Sequence, residues 1–200
     1  MLFKRTIYDK FLSWKKETNG KKALLVEGAR RIGKSTIVEE FAKNEYKSYI
    51  LIDFARVSEE VKDYFRLYLG DLDTFYMLLS VQYGVRLFPR ESILIFDEVQ
   101  LFPKAREAIK YLVADGRYDF LETGSLISIK ENVQEILIPS EERHIQMHPM
   151  SFEEFCLALN EEPLIPYIRD CFLKKAPLER SVHEKAMLVF KQYLLVGGMP

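Results

Sequence analysis

The 200 residues include only two cysteines, one tryptophan, eight prolines and nine glycines. Two cysteines, Cys156 and Cys171, are too few to staple a disulfide scaffold, so both are expected as reduced, buried thiols. So little proline and glycine, without a repeat, excludes a collagen-like or low-complexity chain. No apolar run approaches the roughly 20 residues of a membrane-crossing helix. At the N-terminus, Met1-Leu2-Phe3-Lys4-Arg5 meets charge before a signal-peptide core forms, so a cytoplasmic protein with no membrane partner is expected. His144, His148 and His183 show no metal-ligand spacing with the cysteines, which argues against zinc. Net charge is missing too. The 29 Lys/Arg and 30 Asp/Glu leave −1, so the total advertises neither nucleic acid nor a membrane surface.

What is present is an ordinary globular composition, 48% apolar and 30% charged, with enough chain for one to two domains. The charge is uneven. Residues 1–50 carry 12 Lys/Arg against 6 Asp/Glu, a net of +6, and the rest of the chain carries −7.

Hydrophobic patterning alternates strand and helix. Thr6–Lys16 has Ile7, Phe11, Leu12 and Trp14 at mostly helical spacing, and Asn19-Gly20 breaks it. Ala23-Leu24-Leu25-Val26-Glu27 is a continuous apolar run that suits a strand buried on both faces. Tyr49–Asp53, Ser92–Asp97 and Tyr118–Thr123 repeat that signature; Ile37, Val38, Phe41 and Ala42 recur at the helical period, and further helical stretches lie around 59–69, 72–83 and 104–114. His144–Met147 alternates in polarity and reads as an edge strand. Such βαβ alternation predicts an α/β fold with a mainly parallel five-stranded sheet.

From Ser151 onward the pattern is helix only. Ser151-Phe152-Glu153-Glu154 fits a capping box, and helices are expected over Leu164–Lys174 and Ser181–Val196. The expected division is a core over 1–150 and a helical region over 151–200. The final apolar segment, Tyr193 to Pro200, is expected to lead into a further, truncated domain. Residues 131–162, with eight Glu and one Arg, read as a solvated acidic face.

Two motifs carry chemistry. Gly28-Ala29-Arg30-Arg31-Ile32-Gly33-Lys34-Ser35 matches G-x-x-x-x-G-K-[S/T], after an apolar strand and before an amphipathic helix, as a phosphate loop requires. Gly28 and Gly33 are expected to adopt torsions that other residues resist. Loop amides and the helix N-terminus would face phosphates, Lys34 would reach the β- and γ-phosphates, and Ser35 would ligate Mg²⁺. Thr36 is expected at the α-phosphate. Arg30 and Arg31 belong to the same loop and reach phosphate, a neighbouring subunit or solvent.

The second motif is Ile93-Leu94-Ile95-Phe96-Asp97-Glu98. An aspartate at the end of a buried strand holds Mg²⁺ in P-loop enzymes, which assigns Asp97 to the metal. Glu98 is then the candidate general base for water, and Gln100 a further polar contact or cap. Thr123 and Ser125, ending the fourth strand, are candidates to sense the γ-phosphate or orient water, with Thr123 favoured. The plain alternative is a hydroxyl closing a strand-to-loop turn. Arg143 reads as a salt-bridge partner, with an arginine finger in trans as the sharper option.

These segments resemble a known family. Gly28-x-Arg30-Arg31-x-Gly33-Lys34-Ser35-Thr36, Phe96-Asp97-Glu98-Val99-Gln100, Thr123-Gly124-Ser125, Pro149-Met150-Ser151-Phe152-Glu153-Glu154-Phe155 and Tyr193…Gly197-Gly198-x-Pro200 are together similar to the prokaryotic AAA-like ATPases with a C-terminal domain of unknown function. The resemblance implies an AAA-type P-loop NTPase core, with a strand inserted between the P-loop strand and the Asp-Glu strand, and with ATP and Mg²⁺ as cofactors. It also implies a longer protein, of which this chain resembles the N-terminal part. Ile138-Pro139-Ser140-Glu141-Glu142-Arg143 departs from the family's Leu-x-Gly-Arg pattern, which leaves no arginine role to carry onto Arg143.

The function expected is an ATPase whose nucleotide cycle moves an attached domain or partner, a homo-oligomer included. The alternatives are a nucleotide-gated switch with little hydrolysis and a small-molecule kinase, whose arginine-rich lid is absent from the later sequence. Lys15, Lys16, Lys21 and Lys22 would have to carry any nucleic-acid role, and a solvated helix end accounts for them equally well.

Overall fold

The computed structural model describes residues 5–125 and 140–199. Met1–Lys4, the acidic positions 131–139 and Pro200 therefore lie outside the described residues. Helix α1 (Ile7–Thr18) buries Ile7, Phe11 and Trp14 and stops at Asn19, whose left-handed backbone returns an N–H to Lys15. Then follow β1 (Ala23–Gly28), α2 (Lys34–Glu45), β2 (Ser48–Asp53), α3 (Glu59–Leu67), α4 (Leu72–Tyr83) and β3 (Ser92–Asp97). A single 3₁₀ turn (Val99–Leu101) leads to α5 (Pro103–Asp115), β4 (Asp119–Ser125) and β5 (Glu142–Met147). Proline at the first position of α5 and left-handed Gly116 past its end explain both of its boundaries.

All strands pair in parallel, in the order β2-β3-β4-β1-β5. The fold is thus the α/β, mainly parallel five-stranded sheet flanked by helices expected from the alternation. β4 lies between β1 and β3, and β5 is an edge, as its alternating polarity implied. Side-chain alternation divides the core in two. Ala23, Leu25, Ile50, Ile52, Leu94, Phe96 and Phe120 pack under α3, α4 and α5. Leu24, Val26, Ile93, Ile95 and Leu121 pack under α1 and α2. Because the strands are parallel, the ends of β1, β3 and β4 emerge at one edge. That edge is where ligands bind in such sheets.

After β5 come α6 (Phe152–Ala158), α7 (Leu164–Lys174) and α8 (Arg180–Val196). Both halves of the α6 capping box form: the Glu154 N–H donates to Ser151 Oγ at 3.2 Å and the Ser151 N–H to Glu154 Oε2 at 2.9 Å. Cys156, Leu164, Ala186 and Val189 form a separate small cluster, and both cysteines are free and buried. Among the described residues no helix is long and apolar enough to cross a membrane.

The acidic stretch is not uniformly a solvated face. Glu142 and Glu154 are buried, each against an arginine. Sequence spacing conceals this because both partners, Arg106 and Arg5, come from remote segments.

Candidate functional site

The loop Gly28–Ser35 joins β1 to α2 at the strand-end edge. Gly33 has φ of 88° and caps α2, so its glycine is required by torsion. Gly28 is required for a different reason than the torsional one expected. Its φ is not positive, and a Cβ there would run into the Met147 carbonyl oxygen and come within 2.7 Å of Ile32 Cδ1. Arg31, with φ of 63°, is the loop's one strained non-glycine residue.

Lys34 is buried and folds back into the loop. Its ammonium donates to Gly28 O at 3.0 Å and Ala29 O at 2.8 Å. Burial pushes its pKa down while Glu98 and Asp97 oppose that shift. The loop thus closes around one positive charge, and the N-terminal amides of α2 open at the same place. Ala29, Arg30, Arg31 and Thr36 are exposed, and Ile32 is buried.

Ser35, Asp97, Glu98, Gln100 and Thr123 converge beside the loop. Ser35 Oγ donates to Asp97 Oδ1 at 2.9 Å, and the Thr123 hydroxyl donates to the same oxygen. Thr123 Oγ1 in turn accepts the Glu98 N–H at 3.2 Å, and Gln100 Nε2 donates to the Glu98 carboxylate. Glu98 itself is held with φ of 54°. For a residue other than glycine that costs about 1 kcal/mol or more, and the surrounding bonds must hold it. Burial raises the Asp97 pKa, and the Thr123 and Ser35 hydroxyls pull it back. An oxygen pair such as Ser35 Oγ and Asp97 Oδ1, beside a lysine-bearing glycine loop, has the hard donors that Mg²⁺ selects.

The AAA domain family matches residues 20–156. The chain belongs to this family of P-loop ATPases. A Walker-type ATPase of Pyrococcus abyssi, PABY2304, is similar in structure, with a TM-score of 0.51 and 16% identity over 100% of this chain. This chain spans 65% of the length of that one. The RuvB Holliday junction branch migration motor of Thermotoga maritima gives a TM-score of 0.44 at 13% identity, over 94% of this chain and 70% of that one. No curated protein matches the sequence.

Within this AAA domain, the inserted strand β4 brings Thr123 between the P-loop and Asp97-Glu98. Ser125 ends β4 opposite Gly28 in the register. Arg143 is not brought to the site. It sits four positions before Met147 on β5, roughly 13 Å down the strand, and pairs with Glu17 at 2.6 Å.

A buried charge cluster on the α5 face escaped the motif reading. Arg106 donates to both oxygens of Glu142, at 3.2 and 2.9 Å. His144 lies 3.2 Å from Glu142 and 3.4 Å from Glu27, and these carboxylates push its pKa up to about 9. Glu122, one residue before Thr123, is fully buried. Burial, and then the charge of Glu142, raise its pKa well above the carboxylate range, so Glu122 keeps its proton beside an ionised Glu142. The available signal was a glutamate inside an otherwise buried strand.

Proposed function

We propose that this AAA domain binds ATP with Mg²⁺ and hydrolyses it, and that the cycle moves an attached domain or partner. The observation that carries this is the meeting of Ser35 Oγ and Asp97 Oδ1, 2.9 Å apart, beside the Lys34-bearing loop. Lys34 would leave the Gly28 and Ala29 carbonyls for the β- and γ-phosphates, while Gly28–Thr36 surrounds the phosphate chain. Mg²⁺ held by Ser35 and Asp97 would offset the charge on the phosphate oxygens. Glu98 would take a proton from water, with Gln100 and Thr123 fixing its carboxylate and its backbone. The similarity to a Walker-type ATPase supports this reading. In it, residues 1–150 form the nucleotide core and the helical region 151–200 takes up the movement.

The test is a pair of substitutions. Lys34→Ala should abolish ATP binding in a calorimetric titration. Glu98→Gln should bind ATP like the parent yet lose turnover by a factor of 10² or more. Parent-rate hydrolysis by Glu98→Gln would remove Glu98 from the role of base.

The engagement of Arg143 by Glu17 leaves the site without an arginine from that position and favours a second reading, a nucleotide-gated switch that binds ATP with little hydrolysis of its own. Specific turnover that rises with protein concentration supports the assembled enzyme. A negligible rate at every concentration supports the switch.

A further inference from the structure

Arg5 is a charged residue with almost no access to solvent, and its guanidinium ties three separate parts of the chain together. Nη1 donates to the carbonyl of Ile32, inside the phosphate loop, at 3.1 Å. Nη2 donates to His148 O, just past β5, at 2.7 Å. Nε lies 3.3 Å from Glu154 Oε1 in the first turn of α6. Arg5 and Glu154 are only 7% and 4% exposed, so this is an interior pair whose geometry matters more than its charge count.

Glu154 is occupied on every side. Oε1 accepts the Thr6 N–H and the Thr6 hydroxyl, each at 2.8 Å, and Oε2 accepts the Ser151 N–H at 2.9 Å. Burial disfavours its charge, yet the Ser151 and Thr6 donors and Arg5 outweigh that and hold its pKa below the usual range. The capping box of α6 is therefore also the anchor for the arginine that grips the phosphate loop.

Two consequences follow from the chemistry. In a trans peptide the C=O and the following N–H point to opposite sides. Holding Ile32 O toward Arg5 therefore turns the Gly33 N–H away from Arg5, at the residue that caps α2. On the other side, the connection after β5 is gripped again from the chain's far end. Tyr193 Oη donates to Met150 O at 2.9 Å, and the Met150 N–H donates to Gly198 O at 2.7 Å. A Cβ on Gly198 would come within 2.8 Å of Met150 N. A chain of contacts thus runs from the phosphate loop, through the Arg5–Glu154 ion pair and the Ser151–Met150 backbone, to Tyr193 and Gly198 at the end of α8.

We propose that Arg5 is a positioning residue for the phosphate loop and that, with Glu154, it transmits nucleotide occupancy to α6 and the end of α8. This rests on the nucleotide reading above. A lysine cannot replace it, because two carbonyls and a carboxylate lying in different directions need the planar fork.

The test uses the full chain, ATP with Mg²⁺, and amide hydrogen exchange. In the parent, ATP slows exchange at residues 28–36 and also at 149–158. Arg5→Lys should weaken ATP binding about tenfold, the loss of one charge-assisted contact. It should keep the response at 28–36 and lose the response at 149–158. Glu154→Gln preserves the shape of the side chain, and it should likewise uncouple 149–158 should Arg5→Lys fail to fold. A response at 149–158 as large in both variants as in the parent overturns the coupling alone. No response anywhere in the parent overturns the nucleotide reading, and the coupling with it.

Discussion

The Thr123 hydroxyl donates to Oδ1 of Asp97, the oxygen that also accepts from Ser35 Oγ. Thr123 is fully buried, and its hydroxyl oxygen accepts the Glu98 N–H at 3.2 Å. One hydroxyl thus orients the two carboxylates at the end of β3, Asp97 through its side chain and Glu98 through its backbone.

This arrangement predicts the behaviour of two substitutions. Thr123→Val keeps the volume but leaves a buried carboxylate and a backbone N–H without that partner, at a cost of about 1–3 kcal/mol. Turnover should fall at least tenfold while ATP binding changes little, because Lys34 and the loop are untouched. Thr123→Ser should restore both. Urea unfolding and steady-state hydrolysis check this, and a fully active Thr123→Val would reduce Thr123 to a strand-end filler.

The strands were legible in the sequence because a doubly covered parallel sheet demands continuous apolar runs, as in Ala23–Val26 and Ile93–Phe96. The loop was legible because phosphate geometry tolerates few residues at Gly28, Gly33 and Lys34. The rest depended on pairings that no local pattern encodes. Arg106 and Glu142 are 36 positions apart, and Arg5 reaches a carbonyl 143 positions away. Each reads alone as one more surface charge. Gly28 shows the intermediate case: its identity was expected, but the reason for it, the proximity of Met147 on β5, required the register of the sheet.

Stability should fall on the alkaline side because of His144. Its pKa is raised from 6.5 to about 9 by hydrogen bonds to Glu142 and Glu27. A raised folded-state pKa means that the stabilisation is complete below about pH 6.5 and disappears as pH climbs through 9. His144→Gln should flatten the denaturation midpoint across that window and leave its value at pH 9.5 nearly unchanged. An unchanged slope in the variant would show that His144 is not the titrating group.

The last prediction separates the two carboxyls beneath α5. Glu142 is ionised against Arg106, whereas Glu122 retains its proton because burial and the neighbouring charge both oppose its loss. Arg106→Met takes away one of the two cationic partners of buried Glu142 and leaves it only His144, which should cost up to about 3–5 kcal/mol. Glu122→Gln replaces a neutral acid with a neutral amide of the same shape, and should cost less than about 1.5 kcal/mol at pH 7. The acid limb of the stability profile offers an internal check. Glu142 has a lowered pKa, so its contribution is present above the ordinary carboxylate range and is lost as pH falls below it. The parent should show that loss in full, and Arg106→Met, with only His144 left to favour the carboxylate, should show less of it. If Glu122→Gln proved as damaging at pH 7 as Arg106→Met, Glu122 would carry the charge and the order of the pair would be reversed.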